Sequence, residues 1–137
     1  MSNVPAEEFE SLTRQYFGFL VDDYHFALKK KTDLSYDFET ETSRVSIFIE
    51  FNVAVIGIEP IGEEARKLLR NNILPEQLGV TVVAQCLNPD LDYKVIRGEP
   101  IASAMERESR ILKEHCQDFL RGDFTNWTDV LKAKDKR

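Results

Sequence analysis

The stretch Ser43–Glu59, which reads SRVSIFIEFNVAVIGIE, decides the fold class of this chain. Apolar residues alternate with other residues through both of its halves, and β-branched and aromatic side chains predominate, as is typical of strands. The halves meet at Phe51-Asn52, where we predict a tight hairpin because asparagine tolerates the left-handed conformation of such turns. One long bent strand over 45–58 is the alternative that the pattern leaves open.

Two further alternating runs precede this stretch, one from Tyr24 to Leu28 and one from Leu34 to Phe38. Consecutive strands joined by short links favour an antiparallel meander, so we expect a sheet of three to four strands. Ahead of the strands, apolar residues recur at helical spacing, and they predict an amphipathic N-terminal helix.

The chain after Pro60 returns to a helical pattern. Its strongest helix is predicted to end at Arg121, and Gly122 fits the position after the end, where a positive φ costs glycine little. Residues 75–87 fit both a helix and a strand. The whole chain, 1–137, therefore predicts a single α+β domain with a leading helix, an antiparallel sheet, and C-terminal helices packed on one face.

Composition restricts the classes of partner. The formal net charge is −6, which disfavours binding to nucleic acid and to anionic lipid because both depend on basic side chains. No apolar run approaches the roughly 20 residues that span a bilayer. No leader pattern is visible at the first residues, so we expect a cytoplasmic protein whose Cys86 and Cys116 are reduced and largely buried.

Motifs for chemistry are weak in this sequence. Asp22, Asp23 and His25 carry groups that ligate divalent ions, but no second histidine cluster completes a site, so we predict neither a metal nor a cofactor. His115 and Cys116 are neighbours on a predicted helix and point apart, so they do not form a catalytic pair. We predict no catalytic residues.

Two groups are candidates for binding. Asp37, Glu39 and Glu41 are spaced two apart, which places them on one face of a strand. There they would form an exposed acidic edge and a face for a basic protein partner. Phe124 and Trp127 admit two interpretations, an aromatic anchor in an interface or a latch that holds the terminal helix on the core.

The layout resembles a loose group of small, uncharacterised bacterial α+β proteins, some of which are immunity-like. The resemblance lies in the segments 23–26, 43–50, 54–59 and 119–124, which read DYHF, SRVSIFIE, AVIGIE and FLRGDF. It covers most of the chain as a pattern and implies no functional residues. We therefore expect a non-enzymatic, immunity-like inhibitor that binds a basic partner. The alternative is a small enzyme or ligand-binding domain with a pocket between sheet and helices.

Overall fold

The computed structural model describes residues 4–91 and 98–136, which form an α+β fold of the predicted class. The helices within this part of the chain are α1 (Ala6–Phe17), α2 (Phe19–Tyr24), α3 (Gly62–Arg70), α4 (Val80–Leu87), α5 (Ile101–His115), α6 (Gln117–Leu120) and α7 (Trp127–Asp135). The strands are β1 (Ala27–Thr32), β2 (Ser35–Glu39), β3 (Ser43–Glu50), β4 (Val53–Pro60) and β5 (Leu78–Gly79).

The strands form one antiparallel sheet in the order β1-β2-β3-β4-β5. The predicted count of three to four strands was too low by the two-residue strand β5, which pairs with Gly57 and Ile58. A strand this short leaves no alternating pattern to detect. It also explains why residues 75–87 fit both a helix and a strand, because this segment contains β5 and the whole of α4.

The predicted hairpin between β3 and β4 is confirmed. Glu50 pairs with Val53, and the two residues between them, Phe51 and Asn52, have φ of 52° and 63°. Two successive residues with positive φ are typical of the type I′ turn, whose twist matches that of the strands it joins. Phe51 is 90% exposed at the tip, although a bulky side chain disfavours this backbone conformation.

The predicted start of the first strand at Tyr24 was wrong. Tyr24 is the last residue of α2, and β1 begins at Ala27. His25 adopts the left-handed conformation (φ 62°), and the Phe26 N–H then donates to the Leu20 carbonyl at 2.9 Å. This is a helix-ending hydrogen bond. Apolar residues two apart near a helix end imitate a strand pattern, and here the helix closure overrides it.

The core lies between the sheet and the helices. One face of the sheet carries side chains that are at most 8% exposed, among them Tyr36, Phe38, Val45, Ile47 and Ile58. Helix α1 packs against this face through Phe9, whose ring meets that of Tyr36 edge-on at a centroid distance of 5.2 Å. Across the described residues, no helix is both long and apolar enough to cross a membrane.

Strand β1 is the long free edge of the sheet, and all six of its residues are exposed. It carries Lys29, Lys30 and Lys31 in succession. Lysines on an edge strand discourage pairing with another chain. The acidic edge predicted at Asp37 and Glu39 was therefore wrong, since these residues lie on β2, which is paired on both sides.

Candidate functional site

A cleft of about 530 Å³ opens at one end of the sheet. It is lined by the end of α2 (Asp23–His25), the β2–β3 loop (Thr40–Thr42) and the end of α6 (Leu120–Arg121). We call it the end cleft. It brings together Asp23, His25 and Glu41, which the sequence presented in two separate patterns.

The end of α2 presents its polar residues because its neighbours are anchored. Leu20 and Phe26 are buried, at 0% and 2% exposed, and the hydrogen bond between their main chains turns the chain sharply. Asp23 and His25 lie at this turn and are exposed. The left-handed conformation at His25 is one that histidine adopts more readily than most residues.

The β2–β3 loop is held by its own hydrogen bonds. Thr40 Oγ1 accepts from the Ser43 N–H at 3.1 Å and from the Thr42 N–H at 3.3 Å. The Thr40 N–H donates to the Ser43 carbonyl at 2.9 Å, and the Thr42 carbonyl accepts from the Ile61 N–H at 2.9 Å. With its main chain fixed in this way, the loop holds the exposed Glu41 side chain at the cleft.

A hydrogen bond joins the end of α6 to strand β3 of the sheet. The buried Ser43 Oγ donates to the Phe119 carbonyl, and the Asp123 N–H closes the helix end on the Asp118 carbonyl at 2.8 Å. Gly122 follows with φ +85°, as predicted, but the single helix predicted to end at Arg121 is divided at Cys116 into α5 and α6. A Cβ at Gly122 would overlap Thr42 Oγ1, so the turn and the β2–β3 loop touch.

The two aromatic candidates lie beneath the cleft and not on its surface. Phe124 is 4% exposed and Trp127 is 0% exposed. Their rings pack with Phe119 at centroid distances of 5.3 Å and 5.1 Å. Side chains buried this deeply cannot serve as an interface anchor in the folded chain. Their burial agrees with the latch, in which the three rings hold α7 against α6.

The three acidic candidates do not share one surface. Glu39 lies beside Arg44, which donates from Nε to Glu39 at 2.8 Å and from Nη1 to Glu59 at 3.0 Å. Asp37 is half-buried on the same strand. Glu41 lies beyond the end of β2, so the spacing of two did not continue to it. Of these three residues, only Glu41 lines the end cleft.

Negative charge predominates around the end cleft. Its three segments, taken as 22–25, 40–42 and 117–123, carry the exposed carboxylates Asp22, Asp23, Glu41, Asp118 and Asp123. The one Lys or Arg in these segments is Arg121, whose guanidinium lies 5.9 Å from the Tyr24 ring centroid. The Thr125 hydroxyl and N–H both donate to Asp123 and hold the pKa of its carboxyl below the ordinary value. Of these charged side chains, the two carboxylates Asp23 and Glu41 and the guanidinium of Arg121 line the end cleft itself.

The groups that the sequence raised for metal binding and for thiol chemistry are found apart or buried. Asp23, His25 and Glu41 share the lining, but the described part of the chain holds no group of three such side chains close enough for a metal ion. Burial raises the pKa of the Cys116 thiol to about 12, so it stays protonated. Both cysteines are free, as expected; Cys116 is buried, and Cys86 is partly buried against the core.

Tyr24, Thr40, Thr42 and Arg121 belong to the lining and were missed as site residues. A signal for them existed. The run Thr40-Glu41-Thr42 falls between two alternating stretches, and Gly122 marks the end of a helix directly after Arg121. Nothing in the sequence shows that these two chain reversals meet, because they are some 80 positions apart.

Comparison with protein-family models, with curated proteins and with solved structures gives no match to this chain.

Proposed function

We propose that this protein is a non-enzymatic binding domain that recognises a basic protein partner by accepting an arginine or lysine side chain in the end cleft. The observation that carries the proposal is the convergence of Asp23 and Glu41, from two separate segments, in one open cleft of about 530 Å³. The immunity-like role expected from the resemblance is one instance of such recognition.

The chemistry of the lining supports a cationic guest. Carboxylates pair with guanidinium and ammonium groups through charge-assisted hydrogen bonds. Asp23 and Glu41 are exposed and have no ion-pair partner among the described residues, so both are available to a guest. The volume of about 530 Å³ leaves room for an arginine side chain.

The wider charge distribution favours the same class of partner. The chain carries −6 overall, and the segments around the end cleft carry five carboxylates for one arginine. An excess of one sign around a cleft steers oppositely charged partners and speeds their association. Arg121 offsets one of the five carboxylates, so the excess around the end cleft remains negative.

The proposal is tested with a defined probe, N-acetyl-arginine amide, titrated into ¹⁵N-labelled protein. The neutral isostere N-acetyl-citrulline amide serves as the control on the ligand side. We expect saturable shifts at 23–25 and 40–42, with a Kd on the order of 1 mM for a single side chain. Raising the salt from 0.1 M to 1 M shortens the Debye length from about 10 Å to about 3 Å and weakens the binding.

Paired variants separate the cleft from net charge. Asp23→Asn with Glu41→Gln removes both lining carboxylates and should weaken binding about fivefold, since two exposed ion pairs of about 0.5 kcal/mol each contribute about 1 kcal/mol together. Glu8→Gln with Asp135→Asn removes the same charge from exposed residues that do not line the cleft, and it should leave the affinity nearly unchanged. Equal loss in both double variants, or equal binding of the citrulline probe, contradicts the proposal.

A further inference from the structure

A second, smaller pocket of about 230 Å³ lies between helix α1 and the strands β1 and β2. Its wall is mainly apolar and includes the rings of Tyr36 and Phe38, whose centroids are 6.5 Å apart. Val21 and Leu28 also line it and remain 45% and 46% exposed. We call it the helix–strand pocket. A cavity of about 150 Å³ holds a benzene molecule, so this one has room for a substituted ring.

One polar group in the wall is buried without a partner. Thr13 is 2% exposed, and its hydroxyl has no hydrogen-bond partner among the described residues. A buried hydroxyl in this state has lost the hydrogen bonds that it makes with water in the unfolded chain, and this loss destabilises the fold. Thr13 also lines the helix–strand pocket, so the residue that carries this hydroxyl borders the space that a guest would occupy.

Charged side chains also line the helix–strand pocket, and they are positive in sum. Glu10 accepts from Arg14 Nη2 at 2.7 Å and pairs with Lys31 Nζ at 3.2 Å. Lys31 Nζ also lies 5.7 Å from the centroid of the Tyr36 ring. Two cations therefore share one carboxylate, which leaves an excess positive charge where the pocket opens to solvent.

Tyr36 stays neutral in this setting. Burial, with a contribution from Glu10, raises the pKa of its hydroxyl above the ordinary value, while Lys31 acts in the opposite direction. The ring therefore offers a neutral hydroxyl and an aromatic surface to a guest, and no negative charge that would repel an anion.

We propose that the helix–strand pocket binds a small monocyclic aromatic carboxylate. The ring lies against Tyr36 and Phe38, where aromatic pairs gain energy beyond their burial. The carboxylate reaches Lys31 and Arg14, and an oxygen of the guest pairs with the Thr13 hydroxyl. This site is separate from the end cleft, so it stands or fails independently of the function proposed above.

The test uses benzoate, titrated into ¹⁵N-labelled protein, with the neutral isostere benzamide as the matched control ligand. A ligand of this size binds with a Kd on the order of 1 mM. We expect saturable shifts at Thr13, Leu28 and Tyr36, and at least fivefold weaker binding of benzamide. The absence of saturable shifts at roughly ten times that concentration, or equal binding of both ligands, overturns the proposal.

Two variants and one control test the assigned groups. Thr13→Val removes the hydroxyl at nearly constant volume, and Lys31→Gln removes the cation; each should weaken benzoate at least threefold. Lys29→Gln removes a neighbouring charge on the same strand that does not line the pocket, and it should leave the affinity unchanged. Weakening by Lys29→Gln equal to that by Lys31→Gln overturns the assignment. If Thr13→Val does not fold, the lysine pair and the two ligands still decide.

Discussion

The contact between Gly122 and Thr42 holds one wall of the end cleft, and a double-mutant cycle measures it. Gly122 has φ +85°, and a Cβ there would overlap Thr42 Oγ1 while lying 3.6 Å from Thr42 Cβ. Gly122→Ala therefore adds two costs, left-handed strain and a clash. Thr42→Ala deletes Oγ1 and leaves the 3.6 Å approach, which is ordinary van der Waals contact, so it removes the clash and keeps the strain.

The expected magnitudes follow from these two costs. Left-handed strain at alanine costs about 1–2 kcal/mol, and the reduced entropy of the unfolded chain offsets about 0.4–1 kcal/mol of it. Forcing an atom into a filled site costs about 1–3 kcal/mol. We therefore expect Gly122→Ala to lower the free energy of unfolding by about 2–4 kcal/mol in the native background. With Thr42→Ala present, the loss should shrink to about 1 kcal/mol.

Urea denaturation of the four proteins measures the cycle, and the difference between the two losses is the coupling energy. Thr42→Ala alone is the matched control for any effect of that residue on the loop. Equal losses in both backgrounds would show that the turn after α6 does not touch the β2–β3 loop. A gain in stability from Gly122→Ala would show that the backbone at Gly122 is not left-handed.

Three further predictions follow from features of single residues. Phe51→Asn should raise the free energy of unfolding by about 0.5–1 kcal/mol in urea denaturation, because asparagine tolerates the left-handed turn and the exposed ring buries little; a loss of stability would contradict this. Cys86 should react with a thiol reagent before Cys116, whose thiol is buried and has a pKa of about 12; equal rates in the native protein would refute it. Two arginines on α3 hold the pKa of Glu63 at about 2, below its ordinary 4.5. The contribution of Glu63 to the free energy of unfolding is therefore complete above pH 4.5 and is lost as the pH falls through 2. Glu63→Gln should therefore flatten the acid limb of the stability curve between these values, and an unchanged limb would count against the ion pairs.

The sheet was predictable where a local pattern determines it. The β3–β4 hairpin was predicted because alternating patterns lie on both sides of Phe51-Asn52 and leave only these two residues for the turn. Local patterns failed at Tyr24, where a helix end and a strand start have the same apolar spacing. They also failed at β5, whose two residues pair only because β4 is already in place.

Little of the candidate site was predicted from the sequence. Glu41 was named for binding and Asp23 only as a metal ligand in an incomplete set, and the spacing that suggested a common strand face for Glu41 ends with β2. The Ser43–Phe119 hydrogen bond and the close approach at Gly122 join the β2–β3 loop to α6, and the contact of Arg121 with the Tyr24 ring joins α6 to the end of α2. No periodicity reports such contacts, because they arise from packing between elements.

Ionic strength should affect this molecule in two ways, and the lysines of the edge strand β1 are the reason for one of them. Adjacent like charges keep the unpaired edges of two copies apart, and dissolved salt shortens the reach of that repulsion. If the end cleft binds a cationic partner as proposed, the same salt weakens that attraction. In dilute buffer the proposed binding is then strongest and pairing of two copies through β1 is most disfavoured, and concentrated salt weakens both effects.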